Sequence, residues 1–343
     1  MKFANPPLIS VVLPVYNVAL YAQEAIVSIL EQSIQDFEII VIDDCSTDNT
    51  IEIIESIKDS RIRIIKKTIN KGLVDSLNIG FDAAQGKYIA RMDGDDISHK
   101  ERFEKQLKVL TNTDIKACGC WLQEFYKGDK IIKHSENHEE IVAKLLLGCS
   151  MSLGSVMLDR SLVKNFRFNE SKKHVEDYDF WAKIAWEGKF YNIQEVLYFY
   201  RVHETQVSTL FTKMQKAEDV NIKIFLFKKL RFNEEKFKET LLLKFFSQNE
   251  SITVDEFGLF MNWLREIKSI NKKLKIYNHH EFKKVITEIK NQLLFKIYFQ
   301  RSNLGITKKW RFKALLKMSF LDIKKIAYLK YKEKLKLWIR KKQ

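Results

Sequence analysis

Four short apolar runs alternate with three stretches of helical spacing in the first 92 residues, and this alternation constrains the fold more than any other feature of the chain. The runs are Leu8–Leu13, Phe37–Ile42, Arg61–Lys66 and Tyr88–Met92. They are rich in β-branched residues and read as strands, most of them buried. Between them, 21–32, 49–58 and 72–85 read as helices. In the first, Ala22, Ala25, Ile26, Ile29 and Leu30 fall on one side. Asp48 or Thr47 is the expected N-cap of the second, and Gly86 the expected stop of the third. A β-α-β-α-β-α-β order predicts a parallel sheet with right-handed crossovers. Polar clusters follow successive strands at Tyr16, Asp44 and Asp93. All three should line one edge of the sheet, around a nucleotide-sized cleft.

The last cluster, Asp93-Gly94-Asp95-Asp96, is the most demanding chemically. Three carboxylates so close repel one another unless something positive lies among them. A hard divalent cation, Mg²⁺ or Mn²⁺, prefers such oxygens and often shares them with substrate phosphates. Gly94 would let the backbone turn and a ligand approach. A solvated acidic turn, with Asp96 capping the next helix, is the other reading.

No GxGxxG or Walker loop occurs, so a metal would carry most of the burden of neutralising a diphosphate. The net charge of +15 is uneven. Residues 301–343 hold 15 Lys and Arg against 2 acids, a net +13, which leaves the preceding chain close to neutral. A globally basic nucleic-acid binder is excluded, and no nucleic-acid partner is expected. The first seven residues are too short and polar for a signal peptide, and no apolar run is long enough to span a bilayer. Cys45, Cys118, Cys120 and Cys149 form no CxxC pair, which fits a reducing cytoplasm.

These residues give the chain a resemblance. Val12-Leu13-Pro14-Val15-Tyr16-Asn17, Val41-Ile42-Asp43-Asp44-Cys45-Ser46-Thr47-Asp48, Asn70-Lys71-Gly72-Leu73 and Gly86 to Asp96, in that order, resemble glycosyltransferase family 2 over residues 8 to about 205. The resemblance implies an α/β catalytic domain of the GT-A fold, Rossmann-like with a mostly parallel sheet. It sets Pro14, Tyr16, Asp44, Asn70 and Asp93 at the nucleotide. Tyr16 would stack on the base, Asp44 would accept a base N–H, and Asp93 would face the ribose. Asp95 would bind Mn²⁺ or Mg²⁺. An aromatic face is worth about 1–3 kcal/mol per stacked base. Many members carry Arg where this chain has Leu77, so an Arg contact to the diphosphate from that position is missing.

Further along, 100–110 reads as a helix, 115–126 and 130–134 as a hairpin, 141–147 as a short helix and 153–158 as a buried strand near the sugar. A helix is expected over 178–186. Glu176, Asp177 and Asp179 open it, either to complement the helix dipole or to supply a general base. The resemblance selects Asp177 as the base of an inverting transfer, and assigns His203 a contact with the metal or diphosphate. Beyond residue 211 strand signals vanish, predicting an all-helical domain with a basic tail: 1–210 and 211–343.

The expected activity is inverting, metal-dependent transfer of a hexose or N-acetylhexosamine. The donor would be a nucleotide diphosphate, UDP most of all, and the acceptor a glycan or lipid-linked glycan in surface polysaccharide synthesis. The expected location is the cytoplasm, with peripheral association of the tail at the anionic inner face of the cell membrane. The rivals are a metal-dependent nucleotidyltransferase, which would want a Gly- and Arg-rich loop absent from Leu8–Asn17, and a non-catalytic binder of membrane or nucleic acid.

Overall fold

The computed structural model describes residues 6–203, 212–247, 250–299 and 306–340. Two compact units divide the chain, Met1–Gln215 and Lys216–Gln343.

The first unit opens with β1 (Ile9–Val15), α1 (Ala22–Leu30), β2 (Phe37–Asp43), α2 (Thr50–Ser56), β3 (Ile62–Lys66), α3 (Leu73–Ala83) and β4 (Tyr88–Arg91). β1, β2 and β4 are buried along their whole length. That is why they read as continuous apolar runs rather than alternating ones. Asn49, and not Asp48, is the N-cap of α2, but Asp48 Oδ1 accepts the Thr50 backbone N–H at 3.0 Å and so serves the same turn. Next come β5 (Ile97–Ser98), α4 (Arg102–Asn112), β6 (Ile115–Tyr126), β7 (Ile131–Ile132) and α5 (His138–Lys144). A 3₁₀ turn (Leu153–Ser155), β8 (Met157–Asp159), α6 (Arg160–Val163), α7 (Glu176–Ile184) and β9 (Lys189–Val202) complete the unit.

One sheet runs β3-β2-β1-β4-β8-β6-β9-β5, with β7 paired to β6. Its first half is parallel, with Val15 opposite Asp43 and Val12 opposite Arg91. Its second half is mixed: β8 is antiparallel to β4 and β6, and β9 runs parallel to β6. Apolar residues of β1 and β2 pack with Ala25, Ile26 and Ile29 of α1 and Phe103 and Leu107 of α4 in one core.

Three local expectations change. Residues 153–158 are a 3₁₀ turn followed by a short strand. The helix expected from Tyr178 starts at Glu176, which brings Asp177 into its first turn. Asp96 is not a helix cap, because β5 intervenes and the α4 N-cap is Glu101.

The second unit is helical: α8 (Thr212–Lys228) leads into it, followed by α9 (Glu239–Ser247), α10 (Val254–Leu274), α11 (His279–Phe299), α12 (Lys308–Leu315) and α13 (Phe320–Arg340). Trp263 is its centre, with Phe227 and Phe232 edge-on and Phe260 tilted against it. A capping box between Thr253 and Glu256 starts α10. Among the described residues no helix is long and apolar enough to cross a membrane. The last three residues of the basic tail, 341–343, lie outside the described residues.

Candidate active site

The loops after β1 and β2 are stitched into one platform. Asn17 accepts the Thr47 backbone N–H at 2.8 Å, and its own N–H donates to Ser46 Oγ at 3.1 Å. The Val18 and Ala19 N–H groups donate to Thr50 Oγ1 and Asp48 Oδ2. Asn17 and Cys45 both have positive φ, at 51° and 63°. Such backbone is uncommon outside glycine and persists only where its surroundings hold it. Tyr16 stands on this platform with its side chain 46% exposed, whereas Pro14 is buried within β1 opposite Ile42.

Asp44 is turned inward and nearly fully buried. Oδ1 accepts from Lys67 Nζ at 2.6 Å and from the Lys71 N–H at 3.0 Å, and Oδ2 accepts from the Gly72 N–H at 2.8 Å. Lys67 also pairs with Asp75 at 2.7 Å. Asp44 therefore organises the loop that carries exposed Asn70, and among the described residues one acceptor position on Oδ2 remains.

The acidic loop leaves β4 and is held from both sides. Arg91, buried in β4, forms an ion pair with Asp93. Burial opposes the Arg91 charge most, but Asp93, Tyr198 and Asp96 together outweigh it and hold the guanidinium protonated more firmly than usual. The Asp93 backbone N–H donates to the Tyr198 hydroxyl at 3.1 Å. Gly94 is needed for packing: a Cβ there would lie 2.7 Å from Val15 Cγ1. From β9, Arg201 Nε donates to the Asp95 carbonyl at 2.7 Å, and its backbone N–H to Asp96 Oδ1 at 2.8 Å. The Arg201 guanidinium lies over the Tyr21 and Phe125 rings. His203 Nε2 sits 3.0 Å from Asp95 Oδ2. Burial first, and the Asp93 charge second, raise the Asp95 carboxyl above its usual value. Asp96 is pushed up further by burial first and by Asp95 and Asp93, against which the Arg201 backbone N–H and the Tyr198 hydroxyl work.

This loop crowds three carboxylates, and two of them, Asp95 and Asp96, are held above their usual values. Among the described residues no three His, Cys, Asp or Glu side chains gather into an all-protein metal cage. Asp95 and His203 do offer an oxygen and a nitrogen donor at one point. Mg²⁺ and related ions are commonly held by one or two carboxylates plus substrate phosphates, so these donors fit an ion that arrives with a phosphorylated ligand.

The facing elements complete the site. A Cβ on Gly154 would stand 2.7 Å from Asp93 Oδ2 and 3.0 Å from both Arg91 NH1 and the Tyr198 hydroxyl, so the 3₁₀ turn lies directly against the acidic loop. Buried Arg102 points NH1 at the Gly154 and Arg91 carbonyls, 3.3 Å from each. At the N-terminus of α7, burial first and Asp177 second raise Glu176 to about 7, while Arg91 pulls it down. Asp177 Oδ1 accepts the Tyr178 N–H at 2.6 Å, and Cys149 Sγ lies 3.5 Å from its Oδ2. Asn78 exchanges two hydrogen bonds with the Phe168 backbone, and Leu77 beside it is buried.

Sequence reasoning missed Lys67, Arg91, Tyr198 and Arg201; it set Gly154 near the sugar as a small residue, and the structure sets it against Asp93, Arg91 and Tyr198. For Arg91 a signal existed: a charge inside an otherwise apolar strand demands a partner. For the others nothing local pointed to the site.

The profile described as Glycosyl transferase family 2 matches residues 10–177. An uncharacterized glycosyltransferase of Haemophilus influenzae is 34% identical over 235 residues, covering 64% of this chain and 73% of that protein. The Escherichia coli UDP-Glc:alpha-D-GlcNAc-diphosphoundecaprenol beta-1,3-glucosyltransferase WfaP is 34% identical over 204 residues, 59% of this chain and 80% of its own. Among solved structures, Staphylococcus aureus TarS 1–349 in complex with UDP superposes with a TM-score of 0.55 at 17% identity, covering 88% of this chain and 97% of that one. That likeness makes the fold GT-A, with a helical region following it. Strand edge, acidic loop and sequence relatives agree, and the chain belongs to glycosyl transferase family 2.

Proposed function

We propose that the first unit is the catalytic domain of an inverting glycosyltransferase. It would move a hexose or N-acetylhexosamine from a UDP-linked donor to a glycan or lipid-linked glycan acceptor in polysaccharide synthesis. The Asp95–His203 contact supports this reading most: two donor atoms 108 residues apart meet beside a loop of crowded carboxylates. WfaP, by its name, uses UDP-Glc and a diphosphoundecaprenol-linked acceptor, which favours UDP and a lipid-linked acceptor here. Such an acceptor would set the enzyme to work at the cytoplasmic face of the membrane. Family membership sets nucleotidyl transfer aside.

In this reading Tyr16 stacks on the uracil, and Asp44, locked by Lys67, offers its remaining acceptor position to the base N–H. Asn70 lies on the loop that Asp44 holds. Pro14 shapes the platform from within the sheet, and Asp93, braced by Arg91 and Tyr198, faces the ribose. Asp95 and His203 would hold Mn²⁺ or Mg²⁺; when bound, the ion supplies Lewis-acid stabilisation of the departing diphosphate. Inversion requires attack from the sugar face opposite the leaving group, so a base must stand on the acceptor side. Asp177 takes that role and removes the acceptor hydroxyl proton as the new bond forms. Glu176, its carboxyl raised to about 7, steadies the start of α7.

The test is transfer and donor hydrolysis with UDP-sugars, with and without Mn²⁺, in wild type and Asp177→Asn. Turnover should fall about 10²–10⁴-fold in the variant while UDP affinity holds. No UDP binding by the wild type, or a larger loss from Glu176→Gln, would overturn the donor or the base assignment respectively.

A further inference from the structure

α12 and the start of α13, as far as Tyr331, each bury one side and hold large apolar side chains in solvent on the other. On α12, Trp310 and Ala314, one turn apart, point inward. The Trp310 indole N–H donates to the Ile252 carbonyl at 2.6 Å, and its ring lies edge-on to Phe257. On α13, Asp322 and Ile326 are buried, with Asp322 paired to Lys290 of α11. Opposite them the chain turns its large apolar side chains outward. Phe312 and Leu316 are 70% and 78% exposed, and Phe320 and Leu321 are 69% and 75% exposed. With 3.6 residues per turn, Phe320, Leu321, Tyr328 and Tyr331 fall within an arc of about 100°, roughly opposite Asp322 and Ile326.

Projected as one helix, 306–342 gives no clean apolar stripe. The turn between Leu315 and Phe320 explains why: the segment is two helices, and in α12 and the described start of α13 large apolar side chains stand opposite the packed residues. Scattered exposed apolar residues are ordinary, but four large ones within ten residues at a helix corner mark an interaction surface.

The charge around this corner selects its partner. Between residues 306 and 331 there are eight Lys and Arg and a single acid, the internally paired Asp322. A second copy of the chain meeting this face about a two-fold axis would set cations against cations. A nucleic acid could use the aromatic rings and lysines but has no use for Leu316 and Leu321. An anionic bilayer uses both.

We propose that the α12–α13 corner is a membrane-docking element. Phe312, Leu316, Phe320 and Leu321 enter the headgroup boundary, and the flanking lysines contact anionic lipid. The inference is independent of the catalytic reading, and its failure would leave that reading intact.

The full chain is co-sedimented with vesicles of phosphatidylcholine alone and of phosphatidylcholine and phosphatidylglycerol in equal parts, at low and high salt. Wild type should bind the anionic vesicles strongly and the neutral ones weakly, a comparison that needs no variant. Changing Lys308, Lys309, Lys313, Lys324 and Lys325 to Gln should weaken anionic binding roughly fivefold for each lysine at the surface. The pair Leu316→Ser and Leu321→Ser should weaken it about tenfold for each side chain inserted, and the remainder should be released by salt. Helix content by circular dichroism should match wild type in both variants, since every changed side chain is exposed.

Equal binding to both vesicle types overturns the proposal. So does wild-type binding by the leucine variant. A concentration-dependent dimer that Leu316→Ser and Leu321→Ser dissolve would assign the face to a second copy. Tight oligonucleotide binding, indifferent to the leucines and without vesicle binding, would assign it to nucleic acid.

Discussion

The two halves of the sheet reach the same site by different means. In the parallel half, β3-β2-β1-β4, the candidate residues Tyr16, Asp44, Asp93 and Asp95 stand one to four positions beyond the ends of their own strands. Each is aimed by the strand that precedes it. In the mixed half, Gly154, Tyr198, Arg201 and His203 arrive from elements distant in sequence. Tyr198 meets Asp93 across 105 residues, and Arg201 meets Asp95 across 106. The parallel half presents charge; the mixed half holds that charge at close range. A strand edge alone would carry acids that repel and drift. The second half makes their crowding persist, which is the condition for a site that attracts a cation.

Several changes would break or sharpen this contrast. The largest effect is expected inside the parallel half, at Lys67. It is buried between Asp44 and Asp75, and Lys67→Met leaves both carboxylates without their cation. Breaking a buried pair from one side costs about 3–5 kcal/mol. Urea unfolding should register that loss, and double substitution with Asp44→Asn should recover part of it. A neutral outcome would mean that the platform does not depend on its buried charges.

Asp95→Asn comes next and probes the meeting of the halves. Transfer should fall about 10²–10³-fold, the usual worth of a group that stabilises developing charge. Stability should rise, because the variant relieves the repulsion that lifts Asp95 and Asp96. Full activity in this variant, or in wild type with excess chelator, would remove the metal from the site.

The third change tests the facing side through pH. The Glu176 carboxyl is raised from 4.5 to about 7 in the folded protein, so the native state keeps a proton that the unfolded chain gives up. Its stabilisation is present below 4.5 and is lost as pH rises to about 7. That loss is on the order of 3 kcal/mol. Thermal midpoints of Glu176→Gln should be nearly flat across this window where wild type declines. Parallel curves for the two proteins would mean that Glu176 is better solvated than its setting implies.

The smallest effect belongs to Gly154→Ala. The added Cβ meets Asp93 Oδ2, Arg91 NH1 and the Tyr198 hydroxyl at 2.7–3.0 Å. Overpacking of this kind costs about 1–3 kcal/mol. The kinetic signature separates it from a general packing defect: KM for the UDP-sugar should rise while the α7 side is untouched. An unchanged KM would show that the 3₁₀ turn and the acidic loop can part without consequence for the donor.

What could be read from the chain alone follows the same division. The four strands of the parallel half, and the acidic ends of β2 and β4, were legible because each is a local pattern. A buried strand is a run of apolar residues, and its functional residue follows within a few positions. The long strand β9 was not legible in the same way. Its earlier part, Lys189-Phe190-Tyr191-Asn192, mixes polar and apolar side chains, and its place beside β6 is set by pairing across some seventy residues. The basic tail was legible as charge but not as shape. One projection across 306–342 averages two helices into noise.

By itself, then, the amino-acid order determined the alternation of the first unit, the edge that carries the acids, the helical character of the second unit and the concentration of positive charge in the tail. These depend on the nearest few residues, where periodicity and side-chain type act directly. Only the tertiary structure decided that Arg91 pairs with Asp93, that Gly154 rests against both, and that Asp44 spends most of its acceptor capacity on Lys67 and the Lys71-Gly72 backbone. It also decided that His203 reaches Asp95, and which face of α13 is left in solvent. Each of these is a contact between elements. Contacts of that kind follow from how the sheet is ordered and how helices pack, and no short window of sequence contains them.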